Sequence, residues 1–173
     1  MVTALVVVAP VGATEADTTG ASVDALFEGE LLDLGVDWGE ATACLIWDDV
    51  NVAECFRTEA EMDERIAELE KELDLGEGSA RASQCSGDVR LYDGVVYTGS
   101  VLNLRNRLAW INLSAYGFSN RTSSFKIGPC SSVFADYNNG YGSLYPTSGT
   151  QAWDVAPVMA TGWSNRVSSI YIG

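Results

Sequence analysis

Two twelve-residue phrases, GFSNRTSSFKIG from Gly117 to Gly128 and GWSNRVSSIYIG from Gly162 to Gly173, keep glycine, Ser-Asn-Arg, Ser-Ser and Ile-Gly in the same places. They lie 45 residues apart (162 against 117), and the same offset relates Cys85 to Cys130 and Tyr92 to Tyr137. A constant offset over such different residue types marks a duplicated unit, with copies expected at 85–129 and 130–173. Each copy reads as a cysteine, an aromatic strand, a glycine turn, a long middle, Ser-Asn-Arg-x-Ser-Ser and a closing strand. Val, Tyr, Ser, Gly and Asn dominate, with short alternating runs such as VRLY, so the half is expected to be all-β. One unit of this length is too short for two sheets. Two copies make a sandwich, for which Greek-key pairing is the usual solution.

Charge separates this half from what precedes it. Residues 1–84 carry 4 basic and 20 acidic side chains, whereas 85–173 carry 6 basic and 4 acidic ones. A nucleic-acid partner is not expected, because phosphate contacts need clustered Lys and Arg and neither half has a basic stripe. Residues 1–16 open on an apolar run from Ala4 to Ala13, read as a signal-like segment that lacks a basic n-region. No apolar run reaches the length of a membrane span, so a secreted, unanchored, monomeric chain is expected. Four cysteines with no CxxC pair agree with an oxidising compartment.

Within the acidic region 17–84, Cys44 and Cys55 flank LIWDDVNVAE, a hairpin with its turn at Asp48–Asn51. In that register the two cysteines face each other, which predicts a Cys44–Cys55 disulfide. Cys85 and Cys130 would then pair, one of three connectivities open to four cysteines. Helix 58–75 is expected from Thr58 and Glu61 at capping-box spacing and from Met62, Ile66, Leu69 and Leu73 on one stripe. Its glutamates read as a solvated face. Residues 14–40 show no sustained period and are expected to be extended or partly disordered.

The span Tyr92-x-x-x-x-Tyr97-x-Gly99, followed late in each copy by Ser-Asn-Arg-x-Ser-Ser, resembles the βγ-crystallin domains. In the second copy Phe134, Tyr137, Tyr141 and Gly142 stand at shifted spacing. The doubled, cysteine-bearing form resembles secreted bacterial members grouped with metallopeptidase inhibitors. The resemblance implies a two-motif Greek-key sandwich over 85–173 and a secreted peptidase as partner, met by loops in 103–117 or 145–162. It also implies calcium ligands: Asn120, Arg121 and Ser123 in one loop, Asn165, Arg166 and Ser168 in the other. Ser119 and Ser164 replace the Asp or Asn of the family's first position, leaving no carboxylate in either loop. Since affinity for calcium rises with ligand charge, such sites are expected to be weak or vestigial. Read from the residues alone, the same Asn and Ser side chains brace a turn.

Catalysis is not expected. There is no histidine for a triad or a zinc site, and Asp48, Asp49, Asp136 and Asp154 have no distinguishing spacing. Trp110, Trp153, Trp163, Tyr137 and Tyr141 offer an alternative, an aromatic platform for carbohydrate, against which stands the usual burial of such rings in small sandwiches.

Overall fold

The structure is a computed structural model that describes residues 21–73 and 88–173. The signal-like segment and Cys85 lie outside the described residues. Among the described residues, twelve strands form two sheets. In chain order they are β1 (Asp24–Phe27), β2 (Glu30–Asp33), β3 (Ala43–Trp47) and β4 (Val52–Phe56), then helix α1 (Glu59–Glu72). The duplicated half supplies β5 (Val89–Tyr92), β6 (Val101–Leu104), β7 (Trp110–Asn112), β8 (Ser124–Ile127), β9 (Ser132–Ala135), β10 (Leu144–Tyr145), β11 (Val155–Ala156) and β12 (Ser169–Ile172).

One sheet contains the run β11-β8-β5-β6 and the other is β10-β9-β12-β7. Each copy's third strand therefore sits in the other copy's sheet: β7 pairs with β12, and β11 with β8. Neither copy completes a sheet alone, which is the physical content of the duplication. The inward faces alternate as expected for a sandwich, with Val89, Leu91, Phe125 and Ile127 meeting Ile111, Phe134, Ile170 and Ile172 in one core. Phe125 and Phe134 touch across the sheets with ring centroids 4.9 Å apart.

The copies are not in register throughout. β9 and β10 begin 43 residues after β5 and β6 (132 against 89, 144 against 101), whereas β11 and β12 begin 45 after β7 and β8 (155 against 110, 169 against 124). Two extra residues enter between β10 and β11. The counterpart of Tyr92 is thus Ala135 and not Tyr137, and the matched tyrosine offset is a coincidence of sequence. At an offset of 43 the early motif of the second copy regains its spacing: Gly142 matches Gly99, and Asn139 (φ 57°) matches Val96 (φ 54°).

The acidic region continues the larger sheet. β3 pairs in parallel with β6, β4 follows it, and the hairpin β1–β2 closes the far edge. Cys44 and Cys55 are register partners and are joined by a disulfide. Cys130 is also disulfide-bonded. Of the two expectations for this stretch, extended or partly disordered, residues 24–33 meet the first as an ordered hairpin, because Glu28 (φ 51°) and Gly29 (φ 88°) supply the two left-handed positions of a tight turn. Leu34 and Trp38 beyond it are buried, and Trp38 stacks on Phe118 at 5.5 Å while its Nε1–H donates to the Tyr116 carbonyl.

Helix α1 begins at the expected capping box, with Thr58 as N-cap and Glu61 bonding back, and has Leu73 at its C-cap. Met62, Ile66 and Leu69 pack on the outer face of the extended sheet against Leu45, Trp47, Val52 and Tyr92. Not all its acids face solvent. Glu59 accepts from Arg90 at 2.7 Å and from the Tyr92 hydroxyl at 2.6 Å, Asp63 pairs with Arg90 at 2.7 Å, and Glu70 pairs with the buried Arg105 at 2.5 Å. Arg105 also lies 4.3 Å above the Trp47 ring. No helix among the described residues is long and apolar enough to cross a membrane.

Candidate functional site

The two repeated loops meet in the middle of the sandwich. Asn120 (φ 59°) and Asn165 (φ 55°) each take the left-handed conformation that Asn tolerates better than most side chains. Their backbone N–H groups cross over: Asn120 donates to the Val167 carbonyl at 2.8 Å, and Asn165 to the Thr122 carbonyl at 2.9 Å. The side chains repeat the exchange, the Ser123 hydroxyl donating to Asn165 Oδ1 at 3.0 Å, while the Ser168 hydroxyl lies 3.2 Å from Asn120 Oδ1 and has the Asp136 carbonyl of its own copy as a nearer acceptor at 2.9 Å. Residues assigned to one loop are therefore divided between two places. Ser123 comes together with Asn165, and Ser168 with Asn120.

The neighbouring serine has a different task. Ser124 donates to the Gly94 carbonyl at 2.7 Å and accepts from Tyr97 N–H at 3.0 Å; Ser169 donates to the Tyr137 carbonyl at 2.6 Å and accepts from Gly140 N–H at 3.0 Å. The second serine of each pair thus fixes the corner between the first two strands of its own copy, and the first faces the other loop, Ser168 also reaching the corner through the Asp136 carbonyl. That corner carries Asp93, not singled out from sequence, and Asp136, weighed there only as a catalytic carboxylate. Each accepts from a backbone N–H seven residues on, Ser100 to Asp93 at 2.7 Å and Ser143 to Asp136 at 2.6 Å.

The arginines close the clasp. Arg121 donates to Asp93 at 2.7 Å and to the Gly117 carbonyl at 3.0 Å, and lies 4.9 Å over the Phe118 ring. Arg166 donates to Asp136 at 2.5 Å and lies 5.3 Å over Trp163. Burial opposes ionisation of Asp136, but the Ser143 N–H and the Arg166 guanidinium hold its carboxyl below the ordinary range. Only the first loop is roofed by the acidic region, where Arg121 lies 5.6 Å over Trp38. Gly117 (φ 61°) shows how close that roof comes, since a Cβ there would stand 2.4 Å from the Leu34 carbonyl oxygen, while one at Gly162 (φ 85°) would meet nothing within 4 Å. Gly117→Ala is expected to cost about 2–3 kcal/mol and Gly162→Ala about 1 kcal/mol in chemical denaturation, the difference reporting the contact and not the dihedral.

The side-chain oxygens facing one another across the loops are hydroxyl and amide oxygens, and the corner carboxylates Asp93 and Asp136 are paired with arginine. Such a donor set fits a calcium ion poorly, because it adds no negative charge to offset dehydration of the cation. Among the described residues no three His, Cys, Asp or Glu side chains cluster as metal ligands.

The other candidates are scattered. Asp154 accepts from Gln151 N–H at 2.7 Å as a turn cap. Asp48 exchanges hydrogen bonds with Asn106 at the hairpin tip, and burial, with Asp49 beside it, raises its pKa. Trp110 is in contact with Tyr171 at 5.8 Å and Trp163 stacks on Tyr145 at 5.1 Å, both half-buried, while Trp153, Tyr137 and Tyr141 are exposed. These five aromatics do not form one platform.

No family model matches the chain, and no curated protein does. Solved structures similar to it are βγ-crystallin domains. One is a βγ-crystallin from Ciona intestinalis, 20% identical with a TM-score of 0.44, covering 50% of this chain and 100% of that one. A second is the N-terminal domain of protein S, 20% identical, TM-score 0.42, covering 50% and 94%. A third is a βγ-crystallin domain from Flavobacterium johnsoniae, 21% identical, TM-score 0.42, covering 49% and 92%.

Proposed function

We propose that the chain is an exported, non-catalytic structural and binding module whose paired loops are closed by their own side chains and not by calcium. The observation that carries this reading is the reciprocal clasp: serine to asparagine across the loops, arginine to aspartate within each copy. The Asn120 and Asn165 amide oxygens, which face the other loop, are already engaged by serine hydroxyls. The acidic region acts as a built-in extension, adding four strands and a helix to one sheet and covering one of the two loops. Export is supported by the buried Cys44–Cys55 disulfide, a bond that persists in oxidising compartments. Peptidase inhibition, implied by the sequence resemblance, has no supporting feature among the described loops.

Thermal melting of the full chain in EDTA and in 1 mM calcium tests the reading. A site with a dissociation constant on the order of 1 mM adds only about 0.4 kcal/mol at that concentration, so a shift of no more than about 2 °C is expected. A rise of about 10 °C would replace this reading with the calcium-binding one.

A further inference from the structure

Trp153 is the largest side chain left in the open, 70% exposed, and its backbone is left-handed at φ 67°. A bulky residue in that region is a true outlier, held only where the surroundings over-determine it. Here they do: Trp153 N–H donates to the Gly128 carbonyl, Ile127 N–H to the Asp154 carbonyl, each at 2.8 Å, and Asp154 caps the turn from the other side. The turn lies in the stretch between β10 and β11, where the second copy is two residues longer than the first. Leu108, equally placed two residues before β7, is also left-handed at φ 62° and exposed, so the conformation belongs to the repeated fold, and the second copy differs in setting an indole there.

Beside the indole, a groove of about 270 Å³ runs over the outer face of β11, β8 and β5, lined by Val155, Lys126, Arg90, Asp88 and Gly128. Asp88 is a second non-glycine residue with positive φ, at 38°. Arg90 is engaged by the acidic helix, but Lys126 forms no ion pair among the described residues; its ammonium lies 5.2 Å above Tyr92 and 4.8 Å above Tyr97. The groove thus presents a flat exposed ring, a carboxylate that accepts from Asn103 at 2.8 Å and lies 3.9 Å from Arg90, and an ammonium held over rings without an ion pair among the described residues, the groups a pyranose needs. Its C–H face packs on an aromatic plane while equatorial hydroxyls donate to a carboxylate and accept from an ammonium.

We propose that this groove binds a pyranosyl unit of a polysaccharide, stacked on Trp153, with Asp88 and Lys126 as hydroxyl partners. The proposal rests on the binding half of the module reading and gives it a substrate class. Native affinity electrophoresis of the full chain through gels containing laminarin, xylan or polygalacturonate tests it, the last revealing whether Lys126 selects an acidic sugar. Retardation in at least one gel is expected, weakened about tenfold in Trp153→Ala and less in Lys126→Gln, and unchanged in Tyr141→Ala, an exposed aromatic outside the groove. Circular dichroism confirms that each variant is folded. No retardation by any of the three, or retardation that survives Trp153→Ala, overturns the site. The calcium-independent melting expected above is unaffected by either result, so the two readings fail separately.

Discussion

Phe134→Ala is expected to destabilise the protein by about 3–5 kcal/mol, a large part of the stability of a domain this size. The ring is fully buried, touches Phe125 at 4.9 Å and Tyr145 at 6.2 Å, and sits where the two sheets share their core. Because each copy's third strand lies in the other copy's sheet, a cavity at Phe134 loosens both copies together. Denaturation followed by tryptophan fluorescence and by far-ultraviolet dichroism should therefore stay a single coincident transition at a lower midpoint. Two separated transitions, with one copy surviving the other, would be incompatible with the exchanged strands.

Arg90→Ala is expected to cost about 2–3 kcal/mol, since it strands carboxylates of helix α1 against the sheet. Arg90 bridges Glu59 and Asp63 at 2.7 Å each, and its side chain is only 18% exposed. The same contact makes stability depend on pH. Although burial opposes it, the bonds from Tyr92 and Arg90 hold the Glu59 carboxyl below its usual 4.5. A depressed carboxylate contributes stability that is present above the unfolded pKa and is lost as pH falls through the folded one. Wild-type midpoints should hold down to about pH 5 and decline below it. In Arg90→Ala that contribution to the acid-side slope should be reduced, and an unchanged slope would place the acid sensitivity elsewhere.

These contacts also show why the acidic half was hard to read from sequence. Its composition signals a solvated appendage, and the helix itself is legible from Thr58, Glu61 and the Met62, Ile66, Leu69 stripe, because caps and periodicity are local. What the helix covers is not local. β3 joins β6 in parallel across more than fifty residues (43 against 101), and no spacing in the sequence announces a parallel pair whose members are so far apart. Arg90 and Arg105, the partners of its acids, lie in the other half of the chain. The hairpin at 24–33 was missed for a local reason: its turn is Glu28-Gly29, which lacks the Asn-Gly or Asp-Gly that usually marks such a turn.

The duplicated half was legible in proportion to its register. The Ser-Asn-Arg-x-Ser-Ser loops keep their offset of 45 because both feed strands β8 and β12 that pair identically about the local two-fold. The corners before them have slid to 43, which hid the match of Asp93 to Asp136 and put a false one, Tyr92 to Tyr137, in its place. A search at 43 for an aspartate followed six residues later by glycine would have found both corners. The pairing across the loops was not legible for a related reason. Sequence order puts Asn120 beside Ser123, whereas the crossed backbone bonds turn each asparagine toward the serine of the other copy.

That crossing is the centre of the account, and a double-mutant cycle on Asn165 and Ser123, the shorter of the crossed side-chain bonds, tests it most directly. With Asn165→Ala, Ser123→Ala and the double variant unfolded chemically in EDTA, a coupling of about 0.5–1.5 kcal/mol is expected, with no increase in 1 mM calcium. Coupling that is absent in EDTA and appears only when calcium is added would contradict a clasp held by its own side chains.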